Sequence, residues 1–350
     1  MFAQRSDVSI SLRAKKVKML FLVRLIKSFF RFFVTNAQWY RTLHYRLRFR
    51  GLSVSSRATL CVEGSLKHAQ GVSIGEGANL IVPSTGQLRL ERGAYLGRHV
   101  EVATHSSMRI GRYSSIQDFS VVVGSVDIGA YCLVSYGVML TSGVHYHKLR
   151  PHWLIRDQDE LVREDRDLAS AHERPIRIED DCWLGAHSVV MPGVCVAKGC
   201  VVGANSVVTR DLPPYSIAVG APATVVSTRL EFRPPTNLRF DRDEDLPYFY
   251  AGFGVGRRDR ARGAASGGHF AGKSFSLALN CRNASTFHAK LRSLVGDIRL
   301  LLGGDVANVS QTWTNLEIQL PPGANDRLLF EVETASKIDE LIVFECAWVV

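Results

Sequence analysis

The chain has 350 residues, 46% of them hydrophobic and 22% charged, a globular balance that excludes wholesale disorder and a collagen-like fibre. Lys plus Arg outnumber Asp plus Glu by 43 to 33, but the surplus is local: residues 1–50 hold twelve basic residues and one acid, Asp7, while the remainder carries 31 basic and 32 acidic. So nearly neutral a main body argues against a nucleic-acid partner. The seven cysteines, odd in number and without a CxxC pair, read as reduced, buried thiols of a cytoplasmic chain.

The chain divides into a basic amphipathic helical segment (1–50), a repeat domain (51–230), a linker (231–268) and a C-terminal domain (269–350). In the first, Leu22, Leu25, Ile26, Phe29, Phe32 and Phe33 recur at helical spacing opposite Arg24, Lys27 and Arg31. The apolar run is too short to span a bilayer and too interrupted for a signal peptide. Two readings stay open for residues 15–40: packing on the body or a neighbouring subunit, or peripheral contact with the inner face of a membrane.

From residue 74 to 208 aliphatic residues stand six apart, in blocks starting at Ile74, Leu90, Ile110, Ile128 and Ile178; the longest runs Ile178, Leu184, Val190, Val196, Val202, Val208. The residue four places after each is never larger than valine (Ala78, Ser114, Cys132, Cys182, Cys200 among them). A period of six fits neither a helix nor simple strand alternation. It predicts a triangular coil, three hexads per turn, with the aliphatic residue inside and the small one near a tight corner. Gly75, Gly97, Gly111, Gly129, Gly185 and Gly203, each directly after an aliphatic residue, are expected to help the chain turn.

This pattern resembles the hexapeptide-repeat acyltransferases, over residues 72–226 and most specifically in Trp183-Leu-Gly-Ala-His-Ser-Val-Val-Met-Pro-Gly-Val and Val219-Gly-Ala-Pro-Ala. Within that group it is most similar to sugar and polysaccharide O-acetyltransferases. The resemblance implies a left-handed parallel β-helix, acetyl-CoA as acyl donor, a sugar or glycan acceptor, a homotrimer with active sites shared between neighbours, and no metal. Glu179 and Ala197 depart from it by replacing common glycines, and Thr224 stands where Lys or Arg is usual.

The repeat breaks once, between Leu140 and Ile178, where a polar loop opens with Val144-His145-Tyr146-His147. Acyl transfer from a thioester to a sugar hydroxyl needs a base that titrates near neutrality, which histidine supplies. The resemblance places the general base on His145 and the oxyanion donor on the Ala186 amide. It places coenzyme A against Trp183, Ala186, Ala204, Thr209 and Arg210, with Arg229 a substitute for the phosphate contact that Thr224 lacks. Gln117, Asp118 and His147 are the candidate acceptor contacts. A zinc site built on His145 and His147 is a competing reading that needs a third ligand. An N-acetyltransferase of an amino sugar and a non-catalytic carbohydrate-binding β-helix are further alternatives.

Residues 251–268 hold six glycines and read as a flexible linker. Beyond them, alternating runs such as Leu316, Ile318, Leu320 and the terminal Leu341-Ile-Val-Phe predict a small antiparallel β-sandwich. That module reads either as a packing domain or as a sugar-binding accessory.

Overall fold

A computed structural model describes residues 49–350 except 322, 323, 335 and 337–339. The amphipathic segment at 15–40 lies outside the described residues.

Residues 53–220 wind into a parallel β-helix in which each coil gives one short strand to each of three sheets. Face A stacks Ser53–Val54 at one end and Ser216–Gly220 near the other; face B runs from Thr59–Val62 to Val207–Val208; face C runs from Ser65–His68 to Cys195–Val196. The regular step is 18 residues, as in Ser115↔Leu133 and Trp183↔Val201. The hexads are therefore the sides of the coil. Ile74, Leu96, Ile116, Val134, Leu184 and Val202, all at most 2% exposed, form a single interior column on face A. Burying each such side chain stabilises the fold by roughly 1.5–3 kcal/mol.

The small position has a chemical role as well as a steric one. Along the corner between faces C and A, Ser114, Cys132, Cys182 and Cys200 stand one per coil. Their hydroxyl or thiol donates to a main-chain carbonyl of the next coil: Gly129 at 2.6 Å, Glu179 at 3.0 Å, Ala197 at 3.2 Å and Pro213 at 3.0 Å. Each coil is thereby tied to the one above, which satisfies carbonyls that the sharp bend removes from the ladder.

The glycines predicted to make the bends do not make them. The left-handed residue sits two places later, three after the aliphatic residue, and is often not glycine: His99, Tyr113, Phe119, Tyr131, Asp181, His187 and Asn205 have φ between 53° and 62°. Gly111, Gly129 and Gly185 are required by proximity instead. A Cβ on Gly111 would lie 2.2 Å from the Gly129 carbonyl oxygen, and one on Gly185 would lie 2.5 Å from the Ala204 nitrogen. Coils approach too closely there for any side chain. Aromatic side chains from the left-handed positions stack up the outside, with His99 on Phe119 at 5.1 Å and Tyr113 on Tyr131 at 5.8 Å.

One coil is interrupted. Pairing across the break steps by 50 residues instead of 18 (Leu140↔Val190, Ile128↔Ile178), so 32 residues leave at the corner between faces B and C and return in register. They carry helices α1 (Ile155–Glu164) and α2 (Arg166–Ala171).

The C-terminal domain is one antiparallel sheet. Its strands run in the order Asp305–Val309, Ile298–Leu302, Arg327–Glu333, His269–Ala278, Ile342–Val349, Thr286–Ser293, Thr314–Gln319. The first and last of these are joined by only residues 310–313, so the sheet rolls over a core that includes Phe275, Phe287, Phe330 and Phe344.

The segment expected to be a linker belongs to this domain. Asn237–Arg239 pairs with Ile342–Val349, Phe249–Phe253 pairs with His269–Ala278, and residues 257–266 form helix α3. Its glycines again mark close approach: a Cβ on Gly252 would lie 2.2 Å from the Ser274 oxygen, and one on Gly256 would lie 2.9 Å from the Tyr131 ring.

Candidate active site

The C–A and A–B corners of the coil share the same left-handed bend, and their side chains differ. At the C–A corner the chain is crowded. Glu179, one of the departures from the repeat, is 9% exposed and accepts from Arg327 at 2.8 Å, Tyr250 at 2.6 Å and the Lys198 amide at 3.0 Å. Lys198, 3% exposed, donates from Nζ to the Phe249 carbonyl at 2.7 Å, and burial lowers its pKa to about 8. Arg112 donates to the Phe253 carbonyl, and Tyr131 to Asp259. A glycine at 179 would leave this junction without its acceptor.

The A–B corner carries the carried-over donor residues. Two corner amides elsewhere in the coil are capped from the following coil: Arg98 N–H by Asp118 at 2.7 Å, and Ala130 N–H by Asp180 at 2.7 Å. The equivalent cap for Ala186 is residue 204, in register through Leu184↔Val202, and it is alanine. The Ala186 carbonyl accepts from Asn205 at 2.8 Å, while its N–H finds no acceptor among the described residues. A free, fixed N–H at a corner open to solvent is what an oxyanion requires. On the adjoining outer surface of face A, Trp183 is 50% exposed and its Nε1 donates to Ser135 Oγ at 3.0 Å. Thr209 and Arg210 are exposed where the regular coil ends.

Two of the expected residues are engaged within the fold. Arg229 donates to Gly199 and Asp181 at 2.9–3.3 Å across the C–A corner, so it is no substitute phosphate contact. Asp118 spends both carboxylate oxygens on Arg98, accepting from its main-chain N–H at 2.7 Å and Nε at 2.8 Å, which holds the carboxyl below its usual pKa. In the structure it serves as a coil cap. Gln117 beside it is exposed.

At the third corner, His145 opens the insertion. Its Nδ1 lies 2.7 Å from Asp159 Oδ2, and the other oxygen of Asp159 accepts from the Tyr146 amide at 2.8 Å. That amide first, and the histidine second, hold the Asp159 carboxyl below its usual pKa. A carboxylate on Nδ1 fixes the tautomer with the proton there and leaves Nε2 as the lone-pair nitrogen. The His145 side chain is 84% exposed. His147 turns back, its Nδ1 3.1 Å from the His145 carbonyl. Among the described residues no three His, Cys, Asp or Glu gather as metal ligands.

Asp159 went unnoticed in the sequence because fourteen residues separate it from His145 inside a charge-rich stretch. The signal was its helix: Gln158 and Val162 are the buried residues of α1, and Asp159 stands beside Gln158.

His145 and Ala186 flank opposite edges of face B. Thr141, where the insertion leaves, corresponds in register to Met191, five residues from Ala186 along the coil.

Residues 175–210 match the family described as the hexapeptide repeat of succinyl-transferase. A putative acetyltransferase of Staphylococcus aureus is 54% identical over 52 residues, 15% of this chain and 26% of its own length. A probable acetyltransferase of Mycobacterium tuberculosis is 29% identical over 164 residues, 45% of this chain and 50% of its own. The chain therefore spans between a quarter and a half of these relatives. Among solved structures, the polySia-specific acetyltransferase NeuO aligns with 62% of this chain and 98% of its own at 20% identity and a TM-score of 0.29. A hexapeptide-repeat acetyltransferase of Vibrio cholerae aligns with 45% and 74% at 24% identity and a TM-score of 0.28. Residues 175–210 thus carry a hexapeptide repeat, and parts of the chain are similar in sequence to acetyltransferases.

Proposed function

We propose that the protein is an acetyl-CoA-dependent O-acetyltransferase that acylates a sugar hydroxyl of a surface polysaccharide or its precursor. The observation that carries this reading is the His145–Asp159 pair. It engages Nδ1 and leaves Nε2 of an exposed imidazole without a partner among the described residues. In the reaction, Nε2 takes the proton of the acceptor hydroxyl as its oxygen attacks the thioester carbonyl. The Ala186 N–H stabilises the tetrahedral oxyanion. When the C–S bond breaks, the coenzyme A thiolate recovers the proton from the imidazolium, and the ester leaves. Small side chains at Ala186 and Ala204 admit the pantetheine arm to the main chain, Trp183 flanks it, and Thr209 and exposed Arg210 meet its polar end.

Since His145 and Ala186 stand at opposite edges of face B, a second copy supplies one of them to each site. A homotrimer with three shared sites meets that need. Gln117 and His147 remain the acceptor contacts of this reading.

The test is release of coenzyme A thiol from acetyl-CoA, with and without candidate sugars. His145→Ala should lower the acceptor-dependent rate by about 10²–10⁴-fold, and Asp159→Asn by less. Equal release in wild type and His145→Ala would instead indicate a carbohydrate-binding β-helix without catalysis.

A further inference from the structure

The insertion has a second built feature that this chemistry does not use. Residues 148–156 read Lys-Leu-Arg-Pro-His-Trp-Leu-Ile-Arg, with Lys148, Arg150, Arg156 and His152 and no carboxylate before Asp157. Three consecutive large apolar residues point outward: Trp153 is 39% exposed, Leu154 71% and Ile155 51%. They precede or begin α1, whose buried residues are Gln158 and Val162.

The outward display is fixed from beneath. Gln158, 1% exposed, accepts from the Arg150 amide at 3.0 Å and donates to the Trp153 carbonyl at 3.3 Å. The Trp153 amide closes the turn on the Arg150 carbonyl at 2.8 Å, and the Arg150 guanidinium lies 4.2 Å over the Trp153 ring. An apolar tip held open by a buried amide differs from a loop that merely lacks a core. Leaving two aliphatic side chains and a half-open indole in water is unfavourable, by roughly 25 cal/mol per Å² of apolar area. The surrounding charge selects what covers them. Arg150 over the indole, with exposed Lys148 and Arg156 flanking it in the chain, matches the boundary of an anionic bilayer, where the cations meet phosphates and the indole sits among the headgroups.

We propose that residues 148–156 dock on an anionic phospholipid surface, with Trp153, Leu154 and Ile155 at the headgroup boundary and Lys148, Arg150 and Arg156 over the lipid phosphates. The contact is independent of the transferase reading, because vesicle binding requires no acyl donor.

The experiment uses the full chain and phosphatidylcholine vesicles with or without phosphatidylglycerol. Wild type should sediment with the anionic vesicles. The double variant Leu154→Glu, Ile155→Glu should partition about tenfold or more less, with unchanged mass by light scattering. Residues 1–50 bring their own positive charge, so a second measurement reads the loop directly. Quenching of tryptophan emission by brominated acyl chains should be lost in Trp153→Phe and kept in Trp39→Phe. Unchanged partition of the double variant would overturn the proposal, as would quenching that survives Trp153→Phe. A lowered oligomeric mass with unchanged partition would assign the strip to contact with a second copy.

Discussion

The C–A and A–B corners of the coil share a backbone and differ in load. The first is filled: Glu179 and Lys198 reach out of the coil and bind the C-terminal domain through Tyr250, Arg327 and Phe249. The second is emptied: alanine at 204 withholds the cap that Asp118 and Asp180 supply elsewhere, and leaves the Ala186 N–H free. In the proposed function, a repeat built for stability becomes a binding surface by subtraction; it becomes a docking surface for the C-terminal domain by adding one carboxylate.

The filled corner should break hardest. Glu179→Ala removes the acceptor from Arg327, Tyr250 and the Lys198 amide, and should destabilise by about 3–5 kcal/mol. Denaturant unfolding followed together with limited proteolysis near residue 230 would show the C-terminal domain released first. An unchanged midpoint would mean that other contacts hold the junction.

Acid should weaken the same side next. His269 is 2% exposed, packs edge-on against Phe249 at 4.6 Å, and burial lowers its pKa to about 4. The unfolded chain takes up a proton near pH 6.5 that the folded chain refuses, so stability is complete above that pH and falls as pH drops towards 4. The loss should approach about 3 kcal/mol. Denaturant titrations at pH 7 and pH 4.5 check it, because His269→Phe should flatten the slope relative to wild type.

The empty corner is sharpened by filling it. Ala204→Asp should cap Ala186 as Asp118 caps Arg98, lower kcat/KM about 10²-fold, and leave the unfolding midpoint unchanged or raised. Steady-state kinetics beside a thermal melt separates the two effects, and unaltered kinetics would remove Ala186 from the oxyanion role. The smallest effect concerns the bend itself. Asn205→Gly, at φ 58°, should shift stability by less than about 1 kcal/mol, whereas Gly185→Ala should cost more because its Cβ meets the Ala204 nitrogen.

Much of the fold was legible because one physical constraint repeats. Ile178, Leu184, Val190, Val196 and Val202 each fill the same interior site, so the period survives without any alignment. Glycine was misread twice, for one reason. At Gly111 and Gly185 the sequence suggests a bend, and at Gly252 and Gly256 slack, while in all four the missing side chain makes room for another segment of the fold. Sequence shows that a side chain is missing and not what fills its place. His145 is legible as a candidate base because it stands beside an interruption. Asp159 and the freedom of the Ala186 amide are not, since each depends on which residue stands across a gap in space. Glu179 stood out as a departure from the repeat, and its meaning required the partner domain.

The interruption of the coil leaves the strands on either side in step: Leu140 still faces Val190 as though the 32 intervening residues were absent. Recognition and scaffold are therefore decoupled in this architecture. The excursion can be lengthened, recharged or exchanged without disturbing the stack that carries it, so descendants of one prism could acquire new addresses and new substrates while inheriting an unaltered chassis.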